Sequence, residues 1–234
     1  MPAAAVRCAA MAGIGVLREG PLHAAVKEWL ARPGDRAEVR VERWVIDLVR
    51  ADGELVEVQT GGFGPLGPKL DGLLDDHRVR IVHPVAAERR IVRVGEGGEV
   101  LSARRSPRRA TVVEIFDKLV TFPSLLAHPN LTVEVLLTRE DHLRGPEPIR
   151  RRRRTRDPGQ RRLVEVIERI ELREPADVLS ALPALPAEPF TTRELARALA
   201  CPTMLAQRTV YCLKLMELLE PAGKRGRAPL HRLA

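Results

Sequence analysis

"VIDLVRADGELVEVQT", residues 45–60, sets three polar side chains inside two apolar runs. Two apolar runs, "WVIDLVR" at 44–50 and "ELVEVQT" at 54–60, flank Asp52 and Gly53, and the glycine supplies the positive backbone angle of a tight hairpin turn. Asp47 interrupts the first run, and Glu57 and Gln59 share one face of the second. Strand alternation alone would turn these polar side chains toward solvent. Val45 and Val49 would then share the face of Asp47, and a carboxylate at the margin of a core is unfavourable unless something compensates it. A divalent cation would do so, because hard ions such as Mg²⁺ are held by one or two carboxylates together with water and substrate phosphate. Asp47 and Glu57 lie about equally far from the turn, which makes them cross-strand neighbours.

Around this hairpin the pattern predicts an α/β domain. Residues 20–31 carry Leu22, Val26, Trp29 and Leu30 at helical spacing, and Pro33 and Gly34 stop that helix. Strands follow at 37–41, 44–50 and 54–60, then a helix at 69–77 with Leu70, Leu73 and Leu74 on one side, and a strand at 78–85. A further helix over 111–128 and a strand at 130–138 extend the unit. From Arg144 the chain turns to Arg, Pro and Gly with almost nothing apolar, which predicts a solvated linker. The expected organisation is a domain at 1–143, an Arg-rich linker at 144–162 and a second domain at 163–234.

The second domain opens with a strand or short helix at 163–172 and a helix at 175–183. Thr191 and Thr192 then cap a helix, Pro202 begins another with a broad apolar side, and "EPAGKRGRAPLHRL" reads as a basic hairpin. Helix, short turn, helix and basic hairpin is the pattern of a winged helix-turn-helix. In such a module Gln207, Arg208 and Lys214 are the polar, groove-facing positions, while Lys224, Arg225 and Arg227 form the wing and touch phosphates.

Composition narrows the partners. The 234 residues carry a net charge of +8, which favours a polyanion, although Arg outnumbers Lys along the whole chain and clustering therefore argues better than the total. Clusters occur at 104–109 and at 150–156, where Arg151, Arg152 and Arg153 form part of "RRRRRTR"; such a run either grips phosphates or is merely a charged linker. Aromatic residues make up only 3% of the chain, so base stacking is not the expected mode of binding. The cysteines Cys8, Cys201 and Cys212 lack metal-ligand spacing and read as reduced thiols of a cytoplasmic protein. The six histidines lack metal-binding spacing as well and read as ordinary core-edge or surface residues. No apolar run is long enough to span a membrane, and the N-terminal stretch, broken by Arg7, does not read as a signal peptide. A homodimer is compatible with the sequence, which marks no dimer interface.

An acidic residue on the first helix, an Asp on the second strand and Glu-x-Lys or Glu-x-Gln on the third, in the order helix, three strands, helix, strand, resembles the PD-(D/E)xK nuclease superfamily. Here the matching residues are Asp47 and "EVQ" at 57–59, and the resemblance covers about residues 16–85, extending to 141. It implies a restriction-endonuclease-like mixed sheet flanked by helices. It also implies that Asp47, Glu57 and the Val58 carbonyl ligate Mg²⁺ or Mn²⁺, and that Gln59 orients the attacking water. The commonest pattern has Lys at the Gln59 position, so a positive charge is missing. Lys69, at the start of the next helix, either supplies that charge or is simply a solvated lysine. Glu19, just before the first helix, is preferred over Glu28 as the fourth acidic residue. The implied activity is metal-dependent cleavage of DNA. The alternatives are a DNA-binding regulator or structural factor on a nuclease-like scaffold, to which Gln59 points, and an interaction module whose catalytic partner lies elsewhere.

Overall fold

The computed structural model describes residues 20–145 and 160–234, so Glu19, Arg151, Arg152 and Arg153 lie outside the described residues. Helix α1 (Pro21–Leu30) begins with a proline, whose fixed backbone angle suits the first helical turn, and it buries Leu22, Val26 and Leu30 along one stripe. Strands β1 (Arg36–Val41), β2 (Trp44–Val49) and β3 (Leu55–Val58) form an antiparallel meander. Gly53 adopts φ +86° in the turn between β2 and β3, the conformation expected of the Asp-Gly pair.

A crossover through α2 (Gly67–Leu73) brings in β4 (Val79–Val94) parallel to β3. Strand β5 (Val100–Arg105) folds back onto the later part of β4, on the edge where β3 pairs earlier, while β6 (Leu131–Arg144) runs parallel along the opposite edge. Strand β7 (Gln160–Leu172) pairs antiparallel with β6, giving the order β1-β2-β3-β4-β6-β7. The result is a large mixed sheet with helices on its faces. On one face α1 joins Leu48, Val56, Val58, Val82 and Leu136; the other carries the larger apolar core.

Three expectations need correction. Residues 163–172 are not part of a C-terminal domain: with 160–162 they form β7 of the large sheet. The helix expected over 111–128 is instead a 3-10 turn (Val112–Ile115), a four-residue helix α3 (Phe116–Leu119) and a second 3-10 turn (Pro123–Ala127). Pro123 has no N–H to continue a helix and disfavours the helical conformation for Phe122, which lies at φ −152° and ψ 60°. Finally, β4 and β6 extend well beyond their expected ends. Their charged continuations hold together by cross-strand pairs: Arg90 with Asp141, at 2.7 Å in each of two bonds, and Arg139 with Glu88 at 2.9 Å.

The C-terminal part comprises α4 (Pro175–Ala181), β8 (Phe190–Thr191), α5 (Thr192–Ala198), α6 (Thr203–Leu215), β9 (Leu219–Arg225) and β10 (Ala228–Leu233). Its strands form a small sheet in the order β8-β10-β9. Thr191 caps α5, and Glu194 returns the bond to the Thr191 N–H at 2.7 Å. Leu205, Val210 and Leu213 of α6 belong to the same core as Phe116, Leu119 and Phe122. Among the described residues, no helix is long and apolar enough to cross a membrane.

Charge also runs through the α1 face of the sheet. Glu134, fully buried on β6, accepts from Arg80 at 2.9 Å and from Arg169 at 2.7 Å, and Arg80 reaches on to Glu54 and Glu171. Replacing Arg80 with Met leaves a buried carboxylate with half its compensation, and an expected loss of about 3 kcal/mol in urea unfolding follows. A loss below about 1 kcal/mol contradicts this account of the sheet.

Candidate active site

The β2–β3 ladder ends at Leu48 and Val56, one step short of Asp47 and Glu57. There the strands separate, and side chains take over the role of the backbone. The Val58 N–H donates to Asp47 Oδ2 at 2.8 Å, and the Asp47 N–H donates to the Glu57 carboxylate. Each carboxylate thus satisfies a backbone donor of the opposite strand. The alternation expected around Asp47 breaks here: Val45 is exposed, and Val49 packs with Ile46 in the core on the face away from α1. Opposite Asp47, between the β1 partners of Leu48 and Ile46, Glu38 stands at φ +54°.

Two helices complete the site. From α2, Lys69 forms an ion pair with Glu57 and donates to the Val45 carbonyl at 2.6 Å. Its side chain is only 12% exposed, so it is not a solvated lysine. From α1, His23 Nε2 lies 3.2 Å from Asp47 Oδ2. Burial and the charge of Asp47 raise the Glu57 pKa above its ordinary value, with Lys69 opposing them. Burial also pushes the Asp47 pKa upward, but the His23 bond, the Val58 N–H and the charges of His23 and Lys27 outweigh it, so its net shift is downward.

Gln59 serves the loop: its Nε2 donates to the Gly62 carbonyl at 2.7 Å. His23 lacks metal-ligand spacing and reads from the sequence as an ordinary core-edge or surface residue. The signal available was its position beside the buried Leu22, Val26, Leu30 stripe, which turns it toward the sheet. Among the described residues no three His, Cys, Asp or Glu side chains assemble as metal ligands. Asp47 and Glu57 are two carboxylates, and by strand alternation the Val58 carbonyl faces the same gap.

Beyond Gln59 the β3–β4 pairing fails for a covalent reason. The Leu55 N–H donates to Arg78 O, and the Gln59 N–H to Val82 O, so the next bond in the ladder would require an N–H at position 84. Pro84 has none. His83 Nδ1 instead bonds the Gln59 carbonyl, and its ring meets the edge of Phe63 at 5.4 Å. Burial, aided by the charges of Lys118 and Arg161, lowers the His83 pKa to about 4. Nearby, the fully buried Glu140 accepts two bonds from Arg161, at 2.8 and 2.9 Å, and one from Thr138 at 2.9 Å, and lies 3.2 Å from His142. Burial opposes its charge, but these partners hold its pKa down at about 2.

The residues expected to face DNA divide. Gln207 and Lys214 lie exposed on α6, and Lys224 and Arg227 are exposed on the terminal hairpin. Arg208 turns inward to pair with Asp117 of α3, and Arg225 pairs with Glu194 and donates to the Pro189 carbonyl. Met204 and Tyr211, exposed by 62% and 51%, complete the outer face of α6.

These features define an α/β protein with two carboxylates, a lysine and a histidine gathered where a central hairpin opens. Residues 20–173 match the family described as "Domain of unknown function (DUF8091)", and the chain belongs to that family. The matched segment stops one residue after β7, agreeing with the boundary drawn by strand pairing. A protein of Treponema pallidum (strain Nichols), described as "Uncharacterized protein", is 30% identical over 224 residues, covering 94% of this chain and 87% of its own length. No solved structure matches the chain.

His83 yields a pH prediction. Its folded pKa of about 4 lies below the ordinary 6.5, so as pH falls the unfolded chain takes up the proton first. Its contribution is fully present above pH 6.5 and is lost as pH falls toward 4. Denaturant titrations at pH 7 and pH 4 are expected to show the wild type losing about 3 kcal/mol more than His83→Gln. Parallel losses in the two proteins contradict the assignment.

Proposed function

We propose that this chain is a metal-dependent nuclease that cleaves DNA phosphodiester bonds, on a restriction-endonuclease-like scaffold. The observation that carries this reading is the position of Lys69, whose ammonium joins Glu57 beside Asp47 where Gln59 leaves a charge wanting. Asp47, Glu57 and the Val58 carbonyl are an oxygen-only donor set, which suits Mg²⁺ or Mn²⁺ with the remaining positions left to water and phosphate. When bound, such an ion lowers the pKa of a coordinated water and offsets charge developing on the phosphate. His23 holds Asp47 in position from the other side. Lys69, already oriented by the Val45 carbonyl, offers its remaining N–H to a phosphate oxygen. The C-terminal order of strand, two helices and hairpin supports a winged helix-turn-helix, with Gln207, Lys214, Lys224 and Arg227 available to DNA.

A second reading is a non-catalytic DNA-binding factor. One observation favours it: Lys69 and His23 already satisfy both carboxylates without a metal ion.

Cleavage of linear, single-stranded and branched DNA with Mg²⁺ or Mn²⁺ separates the two. Asp47→Ala and Glu57→Ala are expected to abolish cleavage while filter binding of DNA persists, and Lys69→Met to slow it roughly 100- to 1,000-fold. Wild-type protein that binds DNA in a salt-dependent way but cuts none of these substrates supports the second reading. Protein that neither binds nor cuts contradicts both.

A further inference from the structure

The failure of the β3–β4 ladder at Pro84 leaves a notch in the sheet. Strand β3 pairs β4 through Val82, and β5 joins the same edge only at Arg90. A cavity of about 220 Å³ opens in this notch, with Thr60, His83, Arg89, Lys118, His142 and Arg161 in its wall. That volume falls below the roughly 300–1,000 Å³ of pockets that enclose whole small-molecule ligands, so it suits one charged group.

The charge balance around the cavity decides which group. Its carboxylates are already engaged: Glu114 with Arg108 at 2.9 Å, and Asp117 with Arg208. Glu140, beside the cavity, holds Arg161, whose Nη1 also reaches the Thr60 carbonyl at 3.4 Å. Arg89 and Lys118 make no side-chain hydrogen bond or ion pair among the described residues, and the Arg89 Nε is buried without a partner. Burial and the neighbouring charges of Arg108 and Arg161 lower the Arg89 pKa, against the opposing charges of Glu140 and Glu114. A half-buried guanidinium whose Nε has no partner, and whose neighbouring carboxylates are engaged elsewhere, is open to an anion.

We infer that this notch is a phosphate-binding site in which Arg89 and Lys118, backed by Arg161, hold a phosphate group of a nucleic-acid strand. The inference rests on the nuclease reading for the identity of the strand. Thr60 directly follows Gln59, so the notch adjoins the carboxylate site along the same chain. A guanidinium fork and a mobile ammonium suit a tetrahedral oxyanion. The phosphate belongs either to a strand terminus or to the backbone, and both present the same chemistry.

The test is binding of the full chain to inorganic phosphate and to one short single-stranded oligonucleotide with and without a 5′-phosphate. Arg89→Met and Lys118→Met are compared with wild type, and thermal melting confirms that each is folded. Each variant is expected to weaken phosphate-dependent binding roughly 10- to 100-fold. A wild-type preference for the 5′-phosphorylated strand that disappears in Arg89→Met identifies a terminal phosphate. Equal wild-type binding of both strands, weakened equally in the variants, identifies a backbone phosphate. Folded variants that bind inorganic phosphate and both strands as the wild type does overturn the inference, and DNA cleavage by the wild type then leaves the nuclease reading standing. Conversely, Arg89-dependent binding of inorganic phosphate by a protein that neither binds nor cuts DNA leaves the notch standing and removes the nuclease reading.

Discussion

The exchange of backbone donors between Asp47 and Glu57 is the constraint around which the site is built. A hairpin in a packed sheet can stop pairing only if its freed N–H groups find other acceptors. Here the acceptors are carboxylates, as in the 2.8 Å bond from Val58 N to Asp47 Oδ2, and two negative charges are thereby fixed in the opening. Neither can remain without compensation, and α1 and α2 each answer one of them, through His23 and Lys69.

The same principle of borrowed partners governs the rest of the sheet. Much of the arginine that makes the chain basic is engaged within the fold: Arg80 and Arg169 around Glu134, Arg90 and Arg162 on Asp141, Arg161 on Glu140. A net charge of +8 therefore overstates what is free for a polyanion. The informative cations are those left over. Arg89 and Lys118 are left over at the notch created by Pro84, and Lys214, Lys224 and Arg227 are exposed on the C-terminal elements.

Much of this was legible from residue spacing. The Asp-Gly turn, the alternating runs around it and the Leu22, Val26, Leu30 stripe fix the meander and its covering helix, and the pairing of Asp47 with Glu57 follows from their distance to the turn. What escaped depended on tertiary partners. Residues 160–172 alternate only weakly, because the pairing with β6 shifts register at Val164 and Ile167, which are left exposed, and only that pairing assigns them to the large sheet. The charged ends of β4 and β6 read as loop because the ion pairs that sustain them join residues about fifty positions apart. Lys69 was legible as a candidate but not as a buried partner of Glu57, since that depends on how α2 crosses the hairpin.

Mn²⁺ binding to the whole chain, followed by electron paramagnetic resonance of the free ion, tests whether Asp47 and Glu57 hold a cation. If the open hairpin is a cation site, the wild type binds one Mn²⁺ per chain, Asp47→Asn and Glu57→Gln each abolish that binding, and Mg²⁺ competes for it. Absence of Mn²⁺ binding by the wild type, or binding that both substitutions leave unchanged, contradicts the claim and leaves Asp47 and Glu57 as acceptors that hold two strands apart.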